Sequence, residues 1–159
     1  MTAEEVKGLL DLAPHPSEGG CFVRTYESAA LAQGGTRRAG TAIYYLLEPD
    51  TFSEMHQLAS DEIFHFYAGD AVEQLQLWPD GSGRRVLLGN DLGCGARPQV
   101  IVPSGVWQGA RLVAGGAWAL MGCTVTPGFE FEDYEAGQAE RLAAAWPAWG
   151  ELIRALCRE

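Results

Sequence analysis

The stretch His56-Gln-Leu-Ala-Ser-Asp-Glu62-Ile-Phe-His65-Phe-Tyr-Ala-Gly69-Asp70 sets two histidines and several acids inside a run that otherwise alternates like a β-strand. From Glu62 onward, period-two parity sends Glu62, Phe64 and Phe66 to one face and Ile63, His65 and Tyr67 to the other. A carboxylate on the apolar face of a strand is costly to bury without a partner, so Glu62 should have one. A regular strand cannot aim both Glu62 and His65 into one interior; only a bulge would reverse the parity.

Working outward, further strand-like runs follow, most of them alternating and Thr41–Leu47 apolar on both parities. Cys21–Tyr26, Thr41–Leu47, Phe52–Gln57, Glu62–Tyr67, Val72–Trp78, Arg84–Leu88, Gln99–Val102, Trp107–Val113 and Ala117–Val125 read as about nine strands. Pro79-Asp-Gly-Ser-Gly83 marks a hairpin. Thr2-Ala-Glu-Glu5 is a capping box that opens a short helix over about residues 2–12, and helical spacing returns over 138–157 on either side of Pro147. Many short antiparallel strands with frequent turns predict an all-β barrel, sandwich or jelly roll with helical termini. At 159 residues one domain is expected, with its barrel core at about 20–134.

Composition narrows the function. A formal charge of -10 disfavours nucleic acid and anionic membrane surfaces, because phosphate contacts need clustered Lys and Arg. The uncharged run Leu112–Phe129 is broken by Gly115-Gly116, Gly122 and Pro127 and does not read as a membrane span. The opening MTAEEVKGLL has no apolar signal core, so a cytoplasmic protein is expected. Cys21, Cys94, Cys123 and Cys157 form no C-x-x-C pair and read as free thiols in a reducing compartment.

His56, Glu62 and Gly69 resemble the first cupin motif, and Pro103-Ser-Gly105-Val-Trp-Gln108 resembles the second, in the right order. His15-Pro-Ser-Glu-Gly-Gly20, Thr41–Leu47, Ser60–Gly69, Val102–Gln108 and Thr126–Asp133 together resemble the DUF985 (cupin 5) family over residues 8–147. The resemblance implies a cupin-type double-stranded β-helix (jelly roll), a homodimer, and a pocket at the barrel mouth. Metal-bearing cupins use three histidines and a carboxylate. Carried over by position, His56 and Glu62 remain, but Leu58 and Gln108 replace the other two histidines. No cofactor is therefore expected; a weakly bound divalent metal would fall on His56, Glu62 and Gln108.

The expected catalytic pair is His56 and Glu62, since a carboxylate beside an imidazole is an acid/base arrangement. Gln108, Arg24, Tyr44, Tyr45, His65, Glu18 and Asp133 are candidate ligand-binding residues, with His65 placed outside the barrel by parity and one of Tyr44 and Tyr45 inside it. His15 lies in a Pro-flanked loop that the sequence does not place. The expected function is binding of a small polar ligand, with metal-independent isomerisation or epimerisation of a sugar-like metabolite by analogy with cupin-fold sugar-nucleotide epimerases. A non-catalytic metabolite-binding protein and a metal-dependent oxygenase or hydrolase are the alternatives. The aromatic set Phe64, Phe66, Tyr67, Trp78, Trp107 and Trp118 suggests a covered face in the homodimer.

Overall fold

A computed structural model describes residues 1–158; Glu159, the end of the expected domain, lies outside the described residues. Helix α1 (Ala3–Leu10) starts as its capping box predicts, with Thr2 Oγ1 accepting from Glu5 N and the Glu5 carboxylate accepting from Thr2 N. The strands follow as β1 (Ala13–Pro14), β2 (Cys21–Glu27), β3 (Thr41–Leu47), β4 (Phe52–Gln57), β5 (Asp61–Gly69) and β6 (Val72–Leu77). Next come β7 (Gly83–Leu88), β8 (Gln99–Val102), β9 (Trp107–Leu112), β10 (Ala119–Thr126) and β11 (Glu135–Ala136), then helices α2 (Ala139–Ala145) and α3 (Gly150–Ala155). The two-residue strands β1 and β11 are too short to produce a readable alternation.

Two antiparallel sheets result, a large one in the order β1-β2-β3-β10-β5-β8 and a small one in the order β11-β4-β9-β6-β7. The chain changes sheet at β3–β4, β4–β5, β5–β6, β7–β8, β8–β9, β9–β10 and β10–β11. This is the winding of a cupin-type jelly roll.

Two apolar clusters hold the layers. Between the sheets lie Tyr45, Leu47, Phe64, Phe66, Val72, Leu88, Val100 and Met121, among others. Behind the small sheet, Met55, Leu75, Leu77 and Trp107 meet Leu142, Ile153 and Leu156 of the C-terminal segment. Each such side chain contributes about 1.5–3 kcal/mol of burial. Strand β6 serves both layers: Val72, Gln74 and Gln76 face the barrel while Leu75 and Leu77 face the helices. Of the aromatic residues expected at a covered face, Phe64, Phe66 and Trp107 are buried within the chain, whereas Tyr67 is 49% exposed.

Candidate functional site

The site begins with the loop before β2. Gly19 and Gly20 take φ of 102° and 67°, a left-handed region that favours glycine, and a Cβ on Gly20 would stand 2.6 Å from the Leu46 carbonyl. This close turn brings His15 and Glu18 over the barrel. Arg158 fixes it from outside by donating to the carbonyls of Ser17 (2.8 Å) and Glu18 (3.1 Å), and Glu54 N donates to Glu18 O at 3.0 Å.

The loop also fixes the protons. His15 Nδ1 accepts from the backbone N–H groups of Ser17 (3.3 Å) and Glu18 (2.9 Å), so the ring proton sits on Nε2, 3.9 Å from Glu18 Oε2. Burial lowers the His15 pKa, opposed by the Glu18 charge, which leaves the ring neutral at pH 7. Glu18 Oε1 in turn accepts a short bond from Ser53 Oγ on β4.

Glu62 on β5 closes the floor. It is 6% exposed, and its Oε2 accepts from Gln108 Nε2 on β9 at 2.6 Å, a bond that crosses from the large sheet to the small one. Burial first and the Glu18 charge second push its carboxyl up to about 7, while His56, the Gln108 amide and the Cys123 thiol pull it down less strongly. His15, Glu18, Arg24, Thr41 and Glu62 supply polar lining to one cavity, with Phe22 and Phe129 as aromatic walls.

The expected residues are thus divided. Glu62, Glu18 and Arg24 line the cavity; Arg24 sits where its guanidinium also donates to Glu27 (3.1 Å) and to the Phe129 carbonyl (3.4 Å). His56 is 1% exposed and not among the lining residues: its Nδ1 donates to the Glu54 carbonyl at 2.7 Å, and its ring stacks on Tyr134 at 5.0 Å. Gln108 supports Glu62 instead of facing the cavity. Tyr45 is the inward tyrosine, 1% exposed and donating to the Gly19 carbonyl at 2.8 Å. Tyr44 and His65 both pack against Tyr67 on the outer face of the large sheet, where His65 Nε2 meets Thr124 Oγ1 at 3.1 Å. Asp133 pairs with Arg37.

Sequence reasoning left His15 unplaced and missed three further contributors. His15 is brought in by the glycine turn, Ser53 by a register shift in β4 between Ser53 and His56, and Cys123 by its register opposite Phe64. Tyr134 arrives from the segment before β11 and donates to Glu54 Oε1 at 2.6 Å, a contact no local pattern announces.

The residues present do not fit a cupin metal centre. Leu58 offers no donor atom, and the Gln108 amide spends its nitrogen on Glu62 and accepts with its oxygen from Gln74 Nε2 at 3.4 Å. Among the described residues no group of three or more His, Cys, Asp or Glu side chains is placed to hold a metal ion.

Jelly-roll winding, with His56, Glu62 and Gly69 along β4 and β5 and with Pro103, Gly105 and Gln108 leading into β9 so that Gln108 stands opposite His56, defines a cupin barrel. Residues 4–137 match the family model described as Cupin superfamily (DUF985), and the chain belongs to that family. It is similar to protein SO0799 from Shewanella oneidensis, with a TM-score of 0.91 and 34% identity over 99% of this chain and 98% of that one. It is also similar to a hypothetical protein from Leishmania major, with a TM-score of 0.93 and 32% identity over the whole of both chains. A Saccharomyces cerevisiae protein described as "Uncharacterized protein YML079W" is 31% identical over 102 residues, which is 62% of this chain and 51% of that protein. The matched part thus spans about half the length of that relative.

The Glu62 environment makes stability depend on pH. Its folded value of about 7 lies above the ordinary 4.5, so the native state holds a proton that the unfolded chain releases between the two. This contribution is full below about pH 4.5 and fades as pH rises through 7. Urea unfolding of wild type and Glu62→Gln at pH 5 and pH 8 should show wild type losing roughly 2–3 kcal/mol relative to the variant. A difference that is flat in pH would show that Glu62 is ionised throughout.

Proposed function

We propose that this protein binds a small polar carbonyl metabolite, sugar-like in class, and isomerises or epimerises it by metal-independent proton transfer. One observation carries the reading: a buried carboxyl poised near neutral pH and a neutral imidazole N–H donor line the same cavity. The Glu62 carboxylate takes the proton from the carbon beside the carbonyl and becomes the acid. The C–H electrons move toward the carbonyl oxygen, and the developing enolate accepts a hydrogen bond from His15 Nε2–H. Return of the proton from Glu62 to the neighbouring carbon, while the proton of the adjacent hydroxyl passes to the former carbonyl oxygen, gives isomerisation; delivery of a proton from solvent water to the opposite face of the same carbon, with Glu62 releasing its own proton to solvent, gives epimerisation, with no net redox change in either. His56, held by the Glu54 carbonyl and Tyr134, supports the site from behind. The free cysteines are in keeping with a reducing, cytoplasmic setting, and no described helix is long and apolar enough to cross a membrane.

A non-catalytic binding role is the second reading, favoured by the internal hydrogen bonds that already occupy His15 Nδ1 and Glu62 Oε2. Incubating candidate carbonyl metabolites with the protein in D₂O separates the two. The expected result is deuterium at the carbon beside the carbonyl, reduced at least about 100-fold in Glu62→Gln and more mildly in His15→Gln. Exchange that survives Glu62→Gln, or a ligand that co-purifies and is never labelled, would contradict catalysis.

The proposal includes a homodimer. Tyr67 (49% exposed) and Ile101 (52% exposed) lie on the outer face of the large sheet, whose edge strand β8 is unpaired on one side, and a second copy would cover both. Light scattering at micromolar concentration should give twice 17.2 kDa, falling toward 17.2 kDa in Tyr67→Glu; a wild-type monomer would remove this part of the reading.

A further inference from the structure

The barrel face of the small sheet is polar where a core is expected. Gln74 and Gln76 are 0% exposed and Gln108 is 1% exposed. A buried primary amide must satisfy an oxygen and an NH₂ group. Each of these amides finds the next. Arg84 Nε donates to Gln76 Oε1 (2.8 Å), Gln76 Nε2 to Gln74 Oε1 (2.8 Å), Gln74 Nε2 to Gln108 Oε1 (3.4 Å), and Gln108 Nε2 to Glu62 Oε2 (2.6 Å). Gln76 Nε2 also donates to the Ile101 carbonyl at 3.3 Å. The register builds this path: Arg84 stands opposite Gln76 across β6 and β7, and Gln76 opposite Gln108 across β6 and β9.

An amide can be turned either way, and its sense is set wherever a neighbour has one kind of group only. A guanidinium has donors and no acceptor, and a backbone carbonyl only accepts, so Arg84 and the Ile101 carbonyl together turn the Gln76 oxygen toward Arg84. Its NH₂ group then faces Gln74, and the same sense passes through Gln108 to Glu62. We infer that Arg84, at the edge of the small sheet, is a positioning residue for Glu62: it fixes the direction of three buried glutamine amides and so keeps an N–H donor aimed at the carboxyl group in the cavity. This rests on the reading of Glu62 as the acid/base group.

The influence is one of oriented dipoles, since a neutral amide has no proton to pass on in this pH range. Glu62 is also faced by Glu18 from the loop before β2, by His56 from β4 and by Cys123 from β10. The Gln108 N–H therefore opposes burial and the Glu18 charge.

The test is an NMR titration of the Glu62 side-chain carboxyl in the full chain, in wild type and three surface variants. Arg84→Glu offers only acceptors, which draws the Gln76 NH₂ toward it at the expense of the 3.3 Å bond to the Ile101 carbonyl, reverses the chain and turns Gln108 Oε1 onto Glu62. Only the protonated acid satisfies that oxygen, so the Glu62 midpoint should rise by about one pH unit. Arg84→Lys keeps a donor and should stay within ~0.3 unit of wild type. Arg85 projects from the other face of β7 to Glu73 at 3.0 Å, so Arg85→Glu makes the same charge change without touching the glutamines and should also stay near wild type. No shift in Arg84→Glu, or an equal shift in Arg85→Glu, would overturn the inference. The readout is a titration midpoint and not turnover. A failure here leaves the exchange chemistry standing, and an absence of exchange leaves the Arg84→Glu shift to be observed.

Discussion

The carboxyl group of Glu62 has to be accommodated between two sheets that exclude water. An isolated ionised carboxylate there would be strongly unfavourable, and the group responds in both of the ways open to it. Its pKa rises, and it takes a short hydrogen bond from Gln108 across the barrel. That bond places β5 against β9 and gives the small sheet a reason to carry amides on its inner face. Removing either partner would leave the other buried without its bond, which costs more than the bond itself contributes.

Around this constraint the loop before β2 supplies what the barrel strands cannot. Strand side chains point in or out, whereas a loop closed by two left-handed glycines lays His15 and Glu18 across the opening. Backbone N–H groups, not another side chain, choose the His15 tautomer, so its proton position follows from the turn itself. Glu18 then acts twice, accepting from Ser53 and raising the Glu62 carboxyl by repulsion.

Much of the barrel was legible because strand parity is local. Alternation put Glu62 and His65 on opposite faces, and the two motifs turned the Glu62 face inward and brought Glu62 and Gln108 to one point from 46 positions apart. What was illegible is nonlocal or depends on shape. Parity placed one tyrosine of Tyr44 and Tyr45 inward without saying which, since both neighbours are apolar. Motif position put His56 in the pocket, but a ring turned to the Glu54 carbonyl under Tyr134 lies behind it. Of the aromatic residues read as surplus, Phe64 and Phe66 fill the core between the sheets, and Trp107 joins a second core that Leu142, Ile153 and Leu156 of the C-terminal segment build behind the small sheet. Gln74 and Gln76 did leave a signal: two amides at i and i+2 share one face of an otherwise apolar strand.

The central claim is that Glu62 is a neutral acid and a carboxylate in comparable amounts near pH 7. Infrared difference spectra of wild type against Glu62→Gln, recorded across pH, observe that group directly. The predicted result is a protonated-carboxyl band present in wild type alone that disappears with a midpoint at about 7. A band already lost at the ordinary value of 4.5 would contradict it.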